Sequence, residues 1–400
     1  METDAEALKK KVCSLVVEDM DFSREMSEEE ILRAIDDVIM NLPERERLSL
    51  KEVLGLRTES FYSLRKYDVI QEFLEDDSVT EIMINGKDAV FIEKNGELIK
   101  TDKVFESTEK LEDVIQQMVG ACNRTVNEAY PIADARLGSG ERVNVVLSPI
   151  SLCGPTVTIR RFPKVPITME KLIEIGSISR EAAVFLKRLV YAKYNIFISG
   201  GTGTGKTTFL NALSQYIPSE ERIITIEDSA ELQLLGAQNL VRLETRNKNT
   251  EGCKPIEIRE LIRSALRMRP DRVIVGEVRG AEAVDMLQAM NTGHDGSLST
   301  GHGNSSQDMI SRLETMVLMG MDIPLYAVRG QIAGGIDIFI HLGRLRNRKR
   351  VVLEISEVEG MKDGEIKLRK LYEWRKEKLE KVNSLYHTKK LEDSVQENGL

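Results

Sequence analysis

The stretch GGTGTGKTTF, Gly200 to Phe209, has the residue types that bind a polyphosphate. It fits the pattern G-x-x-x-x-G-K-[ST] in full and stands between an apolar run and a predicted helix. Glycines allow the backbone to turn so that successive N–H groups reach phosphate oxygens, and a helix N-terminus adds its positive dipole end. The motif predicts a nucleoside triphosphate site; the alternative is a glycine-rich turn without a ligand.

Each residue of this loop has an expected role. We expect Lys206 to reach the β- and γ-phosphates and the Thr207 hydroxyl to complete the coordination of Mg²⁺, so the implied cofactors are ATP and Mg²⁺. The segment NKNT, Asn247 to Thr250, lacks the aspartate that reads a guanine base, which disfavours a GTPase. The predicted nucleotide-binding residues are Gly200, Gly201, Thr202, Gly203, Thr204, Gly205, Lys206, Thr207 and Thr208.

Hydrolysis also requires carboxylates, and two predicted strands end in them. The strand RVIVG leads to Glu277, where proteins with this loop usually carry aspartate, and we assign Glu277 to the Mg²⁺ shell. The strand RIITI leads to Glu227, Asp228 and Glu231, which would repel one another unless a metal or a positive charge lay nearby. The alternative for these three acids is a solvated turn with helix-capping roles.

Two of the four histidines, His294 and His302, lie in the segment TGHDGSLSTGHGN. A lone histidine is usually a satisfied core residue. Two histidines flanked by glycine and threonine after a predicted strand instead indicate a sensor of the γ-phosphate, and this is the interpretation that we favour.

Composition limits the class of protein. The 400 residues suggest two or three domains. With 41% hydrophobic and 30% charged residues, no apolar run near the length of a membrane span and no signal-peptide cleavage site, we expect a cytosolic protein. The formal charge of −9 disfavours a general nucleic-acid binder. The four cysteines form no C-x-x-C pair, so we expect them to be reduced and buried and predict no zinc.

The sequence divides into four regions that differ in composition and in predicted secondary structure. Residues 1–62 are predicted to be helical, with a capping box at Ser27 and Glu30. Residues 63–165 are predicted to form an α+β domain with a strand meander, and the segment FPKVPIT a stiff linker. Residues 166–360 alternate helix and buried strand, which predicts a doubly wound α/β domain. Residues 361–400 are predicted to be a charged, partly frayed helical tail.

Together these motifs resemble the type II and type IV secretion ATPases, the GspE/PulE/PilT superfamily, and within it the CpaF-type ATPases of Tad pilus systems. The resemblance covers residues 60–360, and segments such as DARLGSGERVNVV, TVTIRRF, ITIEDSAELQL and ALRMRPDRVIVGEVRG carry it in the right order. It implies a RecA-like P-loop domain after a smaller PAS-like α+β domain, assembled as a hexameric ring. It also implies that Glu231 activates water.

In such ATPases, arginines of the N-terminal lobe complete the site, and the matching segments here hold Arg136, Arg142, Arg160 and Arg161. Strand alternation turns Arg160 away from the face of Val157 and Ile159, so it is free to leave the core of the lobe. The alternative for each arginine is a structural ion pair. The segment TGHGNS departs from the family pattern, which makes His302 the less typical member of the histidine pair.

The main functional hypothesis is therefore an ATPase motor at the cytoplasmic face of the membrane. It would form a homohexamer, act on inner-membrane platform proteins and power assembly of a pilus or a secretion system. One alternative is a nucleic-acid translocase, suggested by the basic segment RLRNRKR, Arg344 to Arg350, although a hairpin turn facing solvent or anionic lipid is the preferred interpretation. Another is a nucleotide-gated scaffold that does not cycle.

Overall fold

The structure is a computed structural model that describes residues 2–20, 24, 26–94, 96–162, 166–246 and 254–398. It divides into two compact units, Met1–Lys164 and Val165–Leu400. Residues 163–165 of the predicted linker, and the segment NKNT with Cys253, lie outside the described residues.

The first unit begins with three helices whose starts are specified by local sequence. They are α1 (Glu2–Asp19), α2 (Glu28–Met40) and α3 (Leu50–Arg65). The predicted capping box is confirmed: the Ser27 hydroxyl accepts a hydrogen bond from the Glu30 amide, and the Glu30 carboxylate accepts one from the Ser27 amide. Ser49 caps α3 in the same way. The apolar stripe of α2 packs against α1 and α3, which gives these helices a core of their own.

A six-stranded antiparallel sheet follows. After α4 (Gln71–Glu75), the remaining elements are β1 (Val79–Asn85), β2 (Val90–Lys94), β3 (Glu97–Lys100), α5 (Thr108–Gly120), β4 (Ile132–Arg136), β5 (Arg142–Val146) and β6 (Thr156–Arg160). The strand order is β3-β2-β1-β6-β5-β4, and the predicted meander forms its first three strands. Alternate residues of the strands are buried against α5, as period-two patterning requires.

The Arg161 side chain, directly after β6, links that strand to the segment that leads from α4 into β1. Its guanidinium donates to the backbone carbonyls of Phe73, Asp76 and Val79, and its side chain is only 9% exposed. Since buried carbonyls must be paired, this one side chain supplies donors to the end of α4, the connection after it and the start of β1.

The second unit contains one nine-stranded sheet. Its elements are α6 (Met169–Glu174), α7 (Arg180–Tyr191), β7 (Ile196–Gly200), α8 (Lys206–Ser214), β8 (Arg222–Glu227), β9 (Asn239–Glu244), α9 (Ile258–Ala265), β10 (Arg272–Val278), α10 (Ala283–Asn291), β11 (Leu298–Gly301), α11 (Ser306–Gly320), α12 (Leu325–Gly335), β12 (Ile338–Arg344), β13 (Arg350–Lys362), β14 (Glu365–Arg375), β15 (Lys378–Lys381) and α13 (Lys389–Asn398). The order is β15-β14-β13-β12-β7-β11-β10-β8-β9.

Six neighbouring strands of this sheet, β12-β7-β11-β10-β8-β9, are parallel, and all except the edge strand β9 are covered on both faces. Helices α6, α7 and α8 pack on one face, and α9 to α12 pack on the other. The strands are accordingly apolar on both sides, as parallel sheets require. The alternation of helix and buried strand predicted for residues 166–360 is confirmed by these elements.

The predicted frayed helical tail over residues 361–400 is wrong for most of its length. Residues up to Lys381 form β14, β15 and the end of β13, which extend the sheet by antiparallel pairing, and only α13 is helical. The strands bury Ile366, Leu371 and Tyr372 and pack Trp374 against the core. The predicted hairpin around RLRNRKR is confirmed, because β12 pairs with β13 up to Arg344 and Arg350.

The amino ends of the parallel strands are joined by polar contacts. The Asn195 side chain donates to the carbonyls of Met290 and Gly335 and accepts from the Ser297 amide. Lys390, on α13, forms ion pairs of 2.7 and 2.8 Å with Asp295 and Asp337. The last helix is therefore anchored to the starts of β11 and β12.

Among the described helices, none has both the length and the apolar composition that crossing a bilayer requires. The expectation of buried cysteines holds only in part, because Cys13 and Cys122 are half-buried whereas Cys153 is exposed.

We predict that Arg161→Met destabilises the first unit by about 2–4 kcal/mol, because the carbonyls of Phe73, Asp76 and Val79 lose the guanidinium that donates to them. The matched control Arg160→Met should cost less than about 0.5 kcal/mol, since Arg160 is exposed. Hydrogen exchange of the β1 and β6 amides measures both values. Equal protection in the two variants would contradict the structural role of Arg161.

Candidate nucleotide site

The parallel register places the ends of five strands at one edge of the second unit's sheet, here called the carboxyl edge. The glycine-rich loop follows β7 and His302 follows β11, whereas Glu227 and Arg344 are the last residues of β8 and β12, and Glu277 is the next-to-last residue of β10. In open parallel sheets, ligands bind outside the carboxyl ends of the strands. Residues far apart in sequence are thus brought to one place by strand pairing alone.

The glycine-rich loop has the backbone that its sequence predicts. Gly203 and Gly205 have φ values of 71° and 91°, a left-handed conformation that favours glycine. A methyl group on Gly200 would lie 2.8 Å from the Leu342 carbonyl oxygen, so this position also excludes a side chain. The Thr204 hydroxyl donates to the Gly201 carbonyl and closes the turn. The loop then enters α8 at Lys206, with Thr207 and Thr208 in its first turn.

A line of three side chains runs from the loop to β10. The Lys206 ammonium donates to the carbonyls of Gly200 and Gly201, each at 3.2 Å, and lies 3.3 Å from Nδ1 of His302. Nε2 of His302 lies 2.8 Å from Oε1 of Glu277. Because an ammonium can only donate, Nδ1 of His302 must accept, which requires a neutral ring. Burial, together with the Lys206 charge, lowers the pKa of His302 and favours this form.

Glu227 is the most buried carboxylate of the site, with 4% of its surface exposed. Its Oε1 accepts hydrogen bonds from the amides of Glu231 and Leu232, at 3.0 and 2.9 Å. Burial raises the pKa of Glu227 to about 7 despite these two bonds, which favour the ionised form. Glu227 therefore fixes the turn that carries Glu231.

Arg279 is a site residue that our sequence reasoning missed. Its guanidinium contacts Glu277 at 2.6 Å and Asp228 at 3.4 Å, so it joins the acids that follow β8 and β10. The carboxylate of Glu231 also acts on Arg279 electrostatically. The signal was present in the sequence, because Arg279 stands two residues after Glu277 and so projects to the same side of the extended chain. The cation expected near the three acids is thus part of the same segment as Glu277.

The two histidines are separated. His302 follows β11 and lies at the carboxyl edge, whereas His294 precedes β11 and lies at the opposite edge, where its Nδ1 is 3.3 Å from the Ala289 carbonyl oxygen. A strand of four residues, about 13 Å long, lies between the two segments. The expectation that both histidines sense one phosphate is therefore corrected: within this chain only His302 reaches the predicted site.

The four predicted arginines belong to the first unit, where three of them form a row. Arg136, Arg142 and Arg160 are directly opposite one another on β4, β5 and β6, and Glu81 continues the row on β1. Nearby acids are 3.6 Å from Arg142 and 4.0 Å from Arg160. Arg161 is not part of this row, since its guanidinium is held by backbone carbonyls. The catalytic role predicted for Arg161 is therefore corrected to a structural one.

The carboxyl edge fits a magnesium-bound nucleotide. Two oxygens buried there, Oε2 of Glu227 and Oε1 of Glu277, have no hydrogen-bond donor among the described residues; the His302 contact lies within ion-pair distance but is not aligned as a hydrogen bond. Such oxygens suit a hydrated metal ion. Thr207 and Glu277 would hold the ion, and the loop amides with Lys206 would hold the phosphates.

Comparisons with known proteins agree with these features. A family model described as "Type II/IV secretion system protein" matches residues 64–356. A putative conjugal transfer protein of Mycobacterium tuberculosis is 33% identical over 294 residues, which cover 72% of this chain and 83% of that protein. The probable conjugal transfer protein TrbB of Sinorhizobium fredii is 32% identical, with 76% and 91% covered.

A solved structure supports the fold. The ATPase DotB of Legionella pneumophila is 20% identical, with a TM-score of 0.52, and the match covers 72% of this chain and 79% of DotB. The predicted α/β fold class is confirmed by this likeness.

The pKa of Glu227 leads to a pH dependence that can be measured in the absence of nucleotide and metal. Its raised pKa contributes stability that is complete below pH 4.5 and is lost as the pH rises to about 7, by about 1.4 kcal/mol per pH unit. Glu227→Gln should remove this decline, whereas Glu231→Gln should retain it. Urea unfolding followed by fluorescence of Trp374, the one tryptophan of the chain, measures it. Parallel pH profiles for wild type and Glu227→Gln would contradict the assignment.

Proposed function

Because this chain belongs to the type II/IV secretion system protein family, we propose that it is an ATP-hydrolysing motor for the assembly of a pilus or a secretion machine. The observation that carries the proposal is the convergence of Lys206, Glu227, Glu277 and His302 beside a phosphate-binding loop. Lys206 begins the helix after β7, and each of the other three lies at the carboxyl end of a different parallel strand or directly after it.

Nucleotide binding would replace hydrogen bonds that form within the loop. The Lys206 ammonium bonds two loop carbonyls, and it would turn towards the β- and γ-phosphates when the nucleotide enters. A bound Mg²⁺ would neutralise charge on the terminal phosphates. Thr207 and Glu277 would hold it, and Arg279 would keep the Glu277 carboxylate in place. His302 would respond to the terminal phosphate through its contact with Lys206.

Water activation is assigned to Glu231, with Glu227 as its positioning residue. The Glu227 carboxylate fixes the amides of Glu231 and Leu232, and this defines where the Glu231 side chain begins. A water oriented by a carboxylate and directed at the γ-phosphate is the usual nucleophile in such hydrolysis.

The arginine row of the first unit would provide the mechanical coupling. Arg136, Arg142 and Arg160 repel one another across the strands, and a terminal phosphate would relieve that repulsion. We infer a ring of several copies of the chain, in which the arginine row responds to the terminal phosphate and to its release. The CpaF-type subtype, the homohexamer, the platform partners and the location at the cytoplasmic face are part of this proposal.

A nucleic-acid translocase is the second candidate, because the names of two relatives refer to conjugal transfer. The formal charge of −9 disfavours it, since nucleic-acid binding relies on basic surfaces. ATPase turnover that rises with added DNA would favour the translocase. Turnover near zero, even with a platform protein present, would favour the non-cycling scaffold.

We predict that Lys206→Ala lowers ATP turnover by more than about 10³-fold, because it removes the cation at the transferred phosphoryl group. The control Lys171→Ala changes an exposed lysine of α6 and should retain wild-type turnover. Phosphate release measured under saturating ATP and Mg²⁺ tests both variants. Normal turnover of Lys206→Ala would refute the site.

We also predict that Arg142→Ala, at the centre of the arginine row, lowers kcat by about 10³-fold, as expected for an arginine that stabilises the phosphoryl transition state. The control Arg33→Ala lies on exposed α2 and should have no effect. The test is steady-state ATPase kinetics together with a size measurement of the assembly. If Arg142→Ala, Arg136→Ala and Arg160→Ala all keep the wild-type kcat, the coupling role is wrong.

A further inference from the structure

The basic turn between β12 and β13, residues Arg344 to Arg350, lies at the carboxyl edge beside the phosphate loop. Strand β12 is parallel to β7, with Leu342 opposite Gly200, so the chain leaves β12 at the same edge at which the loop leaves β7. A methyl group built on Gly205 would lie 3.8 Å from Cδ of Arg350. Arg350 therefore flanks the residue that begins α8.

The position of Arg350 is fixed by its backbone. The Ser177 hydroxyl donates to the Arg350 carbonyl at 2.8 Å, and the Val352 amide donates to the Ser177 carbonyl at 2.8 Å. The turn itself is closed by the bond from the Leu345 amide to the Lys349 carbonyl. These bonds hold the backbone from which the Arg350 side chain projects beside the loop, which favours a binding role.

The charge of the turn is not balanced by acids. Within the described parts of the chain, none of its five cations has an acidic partner within ion-pair distance: Arg344, Arg346, Arg348, Lys349 and Arg350. Moreover, Arg344 and Arg350 are directly opposite each other on β12 and β13. Like charges at directly opposite positions destabilise a strand pair. An anion between them would remove this repulsion.

The two arginines also project to the face of the sheet on which α8 lies. Side chains alternate along a strand, so Arg344 shares a face with Leu342, and Arg350 shares a face with Val352. Leu342 and Val352 pack in the core formed with α6, α7 and α8. The same face therefore presents Arg344 and Arg350 next to the amino end of α8, where the N–H groups favour an anion.

We propose that Arg350, with Arg344 beside it, binds a phosphate oxygen of the nucleotide held by the loop. The ligand class is a nucleoside di- or triphosphate, and the inference rests on the proposed nucleotide site. Arg344 and Arg350, at the two ends of the basic turn, then belong to the nucleotide site of their own chain. Neither a lipid headgroup nor a nucleic-acid backbone is needed to account for its charge.

The test is calorimetric titration of ADP with Mg²⁺ into the full-length wild type and into Arg350→Gln, Arg344→Gln and the matched control Arg346→Gln. We expect Arg350→Gln to raise the Kd about tenfold, because hydrogen bonds to charged groups are the strong ones, and Arg344→Gln to raise it by a smaller factor. Arg346→Gln, at the exposed tip of the turn, should stay within about twofold of wild type.

A second measurement separates binding from folding. Without ligand, the thermal midpoint of Arg350→Gln should equal or exceed that of wild type, because the repulsion with Arg344 is relieved. The rise in midpoint on adding ADP should be smaller than in wild type. A lower midpoint without ligand would contradict the repulsion on which the inference depends.

Three outcomes would overturn the proposal. An unchanged Kd in Arg350→Gln would do so while leaving the proposed function intact. If Arg350→Gln and Arg346→Gln raise the Kd for ADP equally, the effect comes from net charge alone and not from a specific contact. Unchanged ADP binding together with lost binding to vesicles of anionic lipid would assign the turn to a membrane. If wild type binds no nucleotide, the proposed function itself fails.

Discussion

The parallel pairing of β12-β7-β11-β10-β8 is the constraint on which the site depends. Each strand brings its own terminal residue to the carboxyl edge, and none of these residues is adjacent in sequence to the next. A shift of one residue in any pair would turn buried apolar side chains to the other face, so the core fixes the register. The geometry of the charged groups is therefore a consequence of apolar packing on both faces of the sheet.

Burial of charge is the second feature of the site. Glu227 and Lys206 are both nearly inaccessible, and ionised groups are costly to bury unless they are paired. Local contacts reduce this cost. Lys206 donates hydrogen bonds to loop carbonyls. Glu227 accepts hydrogen bonds from two amides and has a raised pKa. Within the part of the chain that the structure describes, two carboxylate oxygens nevertheless stay without a donor. A site that is incompletely satisfied by its own chain gains the most when a ligand completes it.

Much of this arrangement could be predicted from the sequence, and the exceptions have physical reasons. The loop, Glu277 and His302 were predictable because each stands directly after an apolar strand. His294 was assigned wrongly because its spacing from His302 contains a whole strand, which places the two residues at opposite edges. Arg160 and Arg161 are neighbours in sequence, yet only the structure shows that backbone carbonyls capture one of them.

The C-terminal strands were not predicted from the sequence for a different reason. Their charged residues hide the period-two pattern, and irregular register between β13 and β14 shifts the apolar positions out of phase. Successive antiparallel pairing of β14 with β13 and of β15 with β14, rather than local propensity, determines that these residues are extended.

The central place of β7 also affects how the protein is made. Its two neighbours, β11 and β12, lie roughly 100 and 140 residues further along the chain. At a synthesis rate of about 5–20 residues per second, the nascent β7 emerges from the ribosome several seconds before either neighbour exists. Its apolar residues must stay unpaired, or be shielded by a chaperone, during that interval. The strand that carries the phosphate loop is thus the first of its sheet to be translated, yet it cannot pair until β11 has been made.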